Sequence, residues 1–212
     1  TYIPVNDFTY AFQEIVNTYV TPRYREINPA VFNIVTFPFL FGVMFGDIGH
    51  GIIIFLFALY LLIYNKHINE SSGNSSLKFL TKFRYFLLLL SMCSIYCGLL
   101  YNEFMSVPIT LHSTCYESIT KETNDTYISI IKKKGCTYPF GMDPKWFISD
   151  NELAFFNSFK MKFSVIIGVF HMMLGIFLKG LNDTYFKNIY GIIFEFIPQF
   201  IFMSVLYIYM IV

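Results

Sequence analysis

Charge is scarce in this chain: 14% of its 212 residues are Asp, Glu, Lys or Arg, while 55% are apolar. An ordinary soluble domain carries about 25% charged residues, so a water-exposed monomer is excluded. The mean hydropathy of +0.53 makes lipid and neighbouring helices the expected solvent. An excess of one sign is missing too. With 15 basic and 14 acidic side chains the net charge is +1, which leaves no basic stripe for nucleic acid. The chain has no Gly-rich phosphate loop, zinc-ligand cluster or nucleophile elbow, so no catalytic residue, metal or cofactor is assigned. It also lacks a start methionine, a signal peptide and a closing loop, running from Thr1 to Val212. An excerpt from a longer membrane protein is expected.

What is abundant is apolar sequence, in five stretches: 30–46, 48–64, 85–101, 163–181 and 189–212. A bilayer core about 30 Å thick takes roughly 20 helical residues, with about 17 at the low end, so all five are admissible spans. The first two abut. As one straight helix, residues 30–64 would reach about 52 Å, far beyond what the bilayer needs. Gly42, Gly46, Gly49 and Gly51 surround Asp47 and His50 there, a composition suited to a tight turn at an interface. The reading is two spans with a turn near Gly46–Gly51, a single broken or tilted helix being the alternative. The fold class is therefore all-α, a polytopic helical membrane protein with about five spans.

Residues 1–29 form a separate unit. Phe8, Phe12, Ile15, Val16 and Tyr19 make an amphipathic stripe after the capping candidates Asn6 and Asp7, suited to the bilayer interface or to packing on an upstream soluble domain. Pro22 and Pro29 end that pattern before the membrane domain, 30–212. The loop 65–84 carries Lys66, Lys78, Lys82 and Arg84 against Glu70, which favours the cytoplasmic side, so the loop 102–162 falls on the lumenal or exterior side. Two features of that long loop agree: Asn124 opens a glycosylation sequon, and Cys115 and Cys136 suit a disulfide in an oxidising compartment. Cys93 and Cys97, inside the third span, are expected to stay reduced.

Ionisable groups in spans are costly and mark candidate sites. Glu195 is the first, next to Pro198 and Gln199; it is either functional or an interface glutamate that snorkels or pairs with Lys187. His171 lies mid-way along the fourth span and serves packing, a water path or proton transfer. Asp47 and His50 stand three apart and either relay protons at a lumenal mouth or close a strained turn. Glu103 is expected to be solvated, and Gly168, Gly175 and Gly180 offer close helix approach.

Several segments carry a recognisable wording: Tyr24-Arg25-Glu26-Ile27-Asn28-Pro29, Thr36-Phe37-Pro38-Phe39, Met44-Phe45-Gly46-Asp47-Ile48-Gly49-His50-Gly51, Ser94-Ile95-Tyr96-Cys97-Gly98, Tyr138-Pro139-Phe140-Gly141-Met142-Asp143-Pro144 and Phe196-Ile197-Pro198. In this order they resemble the subunit a family of the eukaryotic V-type proton-pumping ATPases, over essentially the whole chain. The resemblance implies the first five of eight membrane helices of a non-catalytic stator in the Vo sector. It implies as partners the proteolipid ring, other Vo subunits, lipid and, through a cytoplasmic N-terminal domain, the V1 peripheral stalk and ATPase sector. It also implies vacuolar, endosomal, lysosomal or plasma membranes as the location. The family's essential arginine belongs to a later helix, and Arg23, Arg25 and Arg84 are flank residues that do not inherit its role. A secondary transporter built on broken helices is the alternative, against which stands the lack of an inverted repeat.

Overall fold

A computed structural model describes residues 3–70, 75–120, 128–148 and 152–211. In chain order come α1 (Tyr10–Tyr19), α2 (Ala30–Met44), α3 (Ile48–Ile63), α4 (Asn65–Glu70), α5 (Ser75–Lys82) and α6 (Arg84–Tyr101). Two small antiparallel hairpins follow, β1 (Glu103–Phe104) with β2 (Val107–Pro108) and β3 (Tyr116–Thr120) with β4 (Ile128–Lys132). A short 3-10 turn (Pro144–Ile148) then leads to α7 (Glu152–Tyr185), α8 (Ile189–Gly191), a π-helical turn (Ile192–Phe196) and α9 (Ile197–Ile211). Three helical stretches, Arg84–Tyr101, Ala154–Tyr185 and Ile189–Met210, are long and apolar enough to cross a membrane; α2 and α3 are apolar but shorter.

The helices stand in a row, α3–α6–α2–α7–α9, each packed mainly on its neighbours. Phe37 of α2 packs its ring on Phe86 of α6 (centroids 5.5 Å), and Gly42 lies against Cys93, so α2 and α6 run the same way. Gly51 of α3 meets Ile95, while Asn65, just past the end of α3, shares a cleft with Arg84 at the start of α6, so α3 runs back. The segment 30–64 is a hairpin and not one straight helix. Its glycines work by allowing contact. A Cβ built on Gly46 would sit 2.6 Å from the Tyr101 ring, and one on Gly98 would sit 2.5 Å from the Ile48 nitrogen. Neither has a positive φ, so close approach is what requires glycine there.

Three sequence expectations are corrected by this framework. The helix starts after Thr9, whose hydroxyl accepts from the Asn6 N–H (3.0 Å), while Asp7 reaches out to Arg84 (2.7 Å). Phe12 and Val16 are buried, with Phe12 edge-on to Phe86 (5.3 Å), so α1 packs on the helical row through these residues; Tyr19 is left exposed. The helix that carries the apolar stretch 163–181 begins earlier, at Glu152. At 1.5 Å per residue α7 is about 51 Å long, more than the thickness of a bilayer core, and its early turns, with Asn157, Ser158, Lys160 and Lys162, are more polar than the rest. Finally, Gly168 and Gly175 face open space in this chain; only Gly180 serves close approach, against the Phe196 ring.

The long loop is fastened to the row. Asn102 ends α6 in the left-handed region (φ 53°) and donates through Nδ2 to the Met142 carbonyl (2.6 Å), while the Met142 N–H donates to the Leu100 carbonyl (2.9 Å). Cys115 and Cys136 are joined by a disulfide with Cα atoms 5.6 Å apart, and the Asp143 carboxylate accepts from the Cys115 N–H (2.9 Å). Cys93 and Cys97 are free thiols in α6. Asn124 lies outside the described residues. The main buried cluster, Val43, Cys97, Tyr101 and Phe156, sits where α2, α6 and α7 meet beneath this loop. The row buries little: the accessible surface is 14824 Å², against about 10,000 Å² for a compact soluble protein of this mass.

Candidate functional site

Polar groups gather at three levels. At the loop end, Asp47 stands in the turn between α2 and α3, outside both helices, and caps α3: Oδ1 accepts from the Gly49 N–H (3.0 Å), and Oδ2 is paired with His50 Nδ1. The same Oδ1 accepts from the Met105 N–H (2.8 Å). Met105 and Ser106 both have positive φ (47° and 64°), so the carboxylate fastens a two-residue β1–β2 turn in a conformation that non-glycine residues rarely take. Burial alone would raise the Asp47 pKa; the bonds from His50, Met105 and Gly49, together with the imidazole charge, outweigh it and hold the carboxyl below its usual range. Ser94 donates to the Phe45 carbonyl (2.6 Å) and Tyr101 to the Val43 carbonyl (3.0 Å), which satisfies backbone groups freed where α2 ends.

Beside this turn Glu103 is not simply solvated. It pairs with Lys160 of α7, their side chains being 14% and 19% exposed, and the Lys160 ammonium also lies 4.9 Å from the Tyr101 ring centre and 5.2 Å from that of Phe156. Sequence reasoning missed this pair because its members are 57 residues apart. The available signal was a lone lysine on an aromatic face, at the spacing that puts Phe156 and Lys160 one turn apart.

At the second level, His171 of α7 meets α2. Its Nε2 lies 2.9 Å from Thr36 Oγ1 and 3.2 Å from Asn33 Oδ1. The Thr36 hydroxyl is also 3.0 Å from the Phe32 carbonyl, to which it can donate while accepting from the ring. A cavity of about 210 Å³, lined by Thr36, Leu40, Ile167, Phe170 and His171 among others, adjoins it. Thr36 stands at the middle of α2 and Asn33 one turn before it, so His171 meets the first half of that helix.

At the third level, Glu195 pairs with Lys179 of α7 (2.7 Å), not with Lys187, and Lys179 also lies 3.4 Å from Gln199 Oε1. Glu195 stands in the π-helical turn, where the Ile197 N–H bonds to the Ile192 carbonyl. Pro198 follows directly and has no N–H to continue the ladder, which accounts for the distortion there. Among the described residues no three His, Cys, Asp or Glu side chains gather as a metal site. The three levels stay separate: Lys160 and Lys179 lie 11 residues before and 8 residues after His171, about 16 Å and 12 Å along the axis.

Compared with known proteins, residues 1–212 match the model of the V-type ATPase 116kDa subunit family. The chain is 46% identical over 212 residues to V-type proton ATPase subunit a3 of Arabidopsis thaliana, covering 99% of this chain and 26% of that protein. It is 40% identical over 227 residues to the V-type proton ATPase 116 kDa subunit a1 of Xenopus laevis, covering 100% of this chain and 27% of the relative. To the vacuolar proton translocating ATPase 100 kDa subunit of Dictyostelium discoideum it is 43% identical over 213 residues, with 99% and 26% covered. The chain thus spans about a quarter of the length of the curated relatives it matches.

Proposed function

The chain belongs to the V-type ATPase 116 kDa subunit family, and from that premise we propose that it forms part of the non-catalytic membrane stator of an ATP-driven rotary proton pump. In this reading the row of helices is a lipid-sealed wall beside a ring of proteolipid subunits, and ATP is hydrolysed by other subunits. Its further partners are the remaining Vo subunits and, through a cytoplasmic N-terminal domain, the V1 peripheral stalk. Vacuolar, endosomal, lysosomal or plasma membranes are its location.

The observation that carries the reading is the placing of charge in a family member. Among the described residues no lysine or arginine stands mid-way along an apolar helix; Asp47, Glu103 and Glu195 are paired with His50, Lys160 and Lys179 toward helix ends, and His171, mid-way along α7, lies between the neutral groups of Thr36 and Asn33. A proton released from a carrier carboxylate needs a fixed positive charge opposite it, which these helices do not offer. Asp47, His50, His171 and Glu195 therefore shape access, hydration and packing. Helices α2, α3, α6, α7 and α8–α9 make five crossings, residues 1–29 and 65–84 lie in the cytosol, and the loop 102–162, with the Cys115–Cys136 disulfide and an acceptor Asn124, lies in the lumen.

Two experiments test this. Affinity capture of the full-length protein should bring down the proteolipid ring and soluble ATPase subunits; capture with neither rejects the stator. Cysteines introduced at Ser75 and Lys134 should react from opposite sides of sealed vesicles, and labelling of both from one side rejects the five crossings.

A further inference from the structure

A cleft with no assigned role lies at the α1 end of the row. The start of α1 with the segment before it, the start of α4, α5 and the start of α6 enclose an open cavity of about 540 Å³ whose lining includes Asp7, Tyr10, Asn65, Lys78, Lys82 and Arg84. Its level is set by α6, which is long and apolar enough to cross a membrane and begins at Arg84. The cleft therefore opens where hydrocarbon gives way to lipid headgroups.

The charges in it are unbalanced. Arg84 is spoken for, paired with Asp7 (2.7 Å) and lying over the Tyr85 ring at 4.9 Å. Lys78 and Lys82 are four residues apart on α5, hence on one face, and neither has a carboxylate partner among the described residues. Like charges at this spacing oppose each other in a helix of only eight residues, and an anion between them removes that penalty. The Tyr10 ring, 5.8 Å from the Lys82 ammonium, holds one of the two toward the cleft. Exposed aromatic surface lies next in the chain to the lining residues: Phe79, which follows Lys78, and Tyr64, which precedes Asn65, are 61% and 49% exposed. Basic side chains over exposed aromatic surface at a bilayer interface match a phosphate headgroup with acyl chains below it.

We propose that this cleft binds the phosphate-bearing headgroup of an anionic phospholipid, with Lys78 and Lys82 as direct ligands and Arg84, fixed by Asp7, as its back wall. The binding would brace α5 and the segment before α1 against α6. It requires that α3 and α6 stand in a membrane and is otherwise independent of the pump reading.

The test uses the full-length protein in its purified complex, in phosphatidylcholine nanodiscs doped with photoreactive phosphatidylglycerol or, as control, photoreactive phosphatidylcholine. Labelling of the peptide containing residues 75–84 is read by mass spectrometry. The anionic probe should label it roughly tenfold or more above the neutral one; Lys78→Gln with Lys82→Gln should remove that preference, and Lys→Arg at both should keep it. Equal labelling by the two probes, or a preference untouched in the double Gln variant, overturns the proposal. So does abolition of the preference by inorganic phosphate at low salt, which would assign the cleft to a free anion. If the double variant does not assemble, the two-probe comparison on the wild type and Lys82→Gln alone still decides.

Discussion

Substituting Gly98 by Ala adds one methyl group where the helical row is tightest. Its Cβ would lie 2.5 Å from the Ile48 nitrogen, 2.7 Å from the Asp47 carbonyl carbon and 3.0 Å from the Asp47 Cα. Unstrained carbon contacts lie near 3.5–4.0 Å, so α6 must back away from the α2–α3 turn by about 1 Å. The obstacle is backbone and cannot rotate aside. A shift of that size stretches the Ser94 to Phe45 bond (2.6 Å) and breaks the Tyr101 to Val43 bond (3.0 Å). Overpacking costs about 1–3 kcal/mol and each lost hydrogen bond about 1 kcal/mol, while the gain in helix propensity returns about 1 kcal/mol. The net loss is about 1–3 kcal/mol, or a few degrees in the thermal midpoint. Gly168→Ala is the control, because a Cβ there meets nothing within 4 Å of this chain. It keeps only the propensity gain, so its midpoint should stay level or rise slightly. Fluorescence-detected gel filtration of the heated full-length protein measures both. A Gly98→Ala midpoint within 1 °C of wild type, or equal losses for the two variants, would refute the close-packed turn.

Breaking the Glu103–Lys160 pair from one side leaves a half-buried charge, so Glu103→Gln or Lys160→Met should each cost about 3 kcal/mol, and a double-mutant cycle should show the pair of substitutions recovering most of it. Because the folded Asp47 pKa lies below the usual 3.8, its contribution is complete above that value and lost as pH falls through the lower folded value. The thermal midpoint should therefore be flat from about pH 7 to 5, with an acid step below 4 that Asp47→Asn removes; a step above pH 5 would sink the assignment. Glu195→Gln and His171→Ala should lower ATP-driven acidification per assembled complex without abolishing it, and complete loss with normal assembly would show an obligatory proton site in this segment.

Local rules made the helices legible and left their partners hidden. The α2–α3 hairpin followed from length against bilayer thickness and from four glycines around Asp47, and the free Cys93 and Cys97 followed from their place in a span. The first turns of α7 are not legible in the hydropathy, because Asn157, Ser158, Lys160 and Lys162 lower it there, whereas a helix needs no hydrophobicity to continue, only backbone bonds and a packed face. Glu195 was read against Lys187, its neighbour in sequence, yet Lys179 reaches it across the α7–α9 hairpin. The Met105–Ser106 turn had no signal at all, since neither residue favours positive φ; Asp47, distant in sequence, holds it in place.

A wall one helix thick has no private interior. A helix with its side chains is about 10–12 Å across, so apart from the groups buried where α2, α6 and α7 meet, the polar groups of the row stand close to a face open to whatever lies beside the chain. The dielectric around His171 or Glu195 is thus a joint property of this chain and whatever lies against it. What covers the open face of the row therefore bears on these groups with no substitution in this chain.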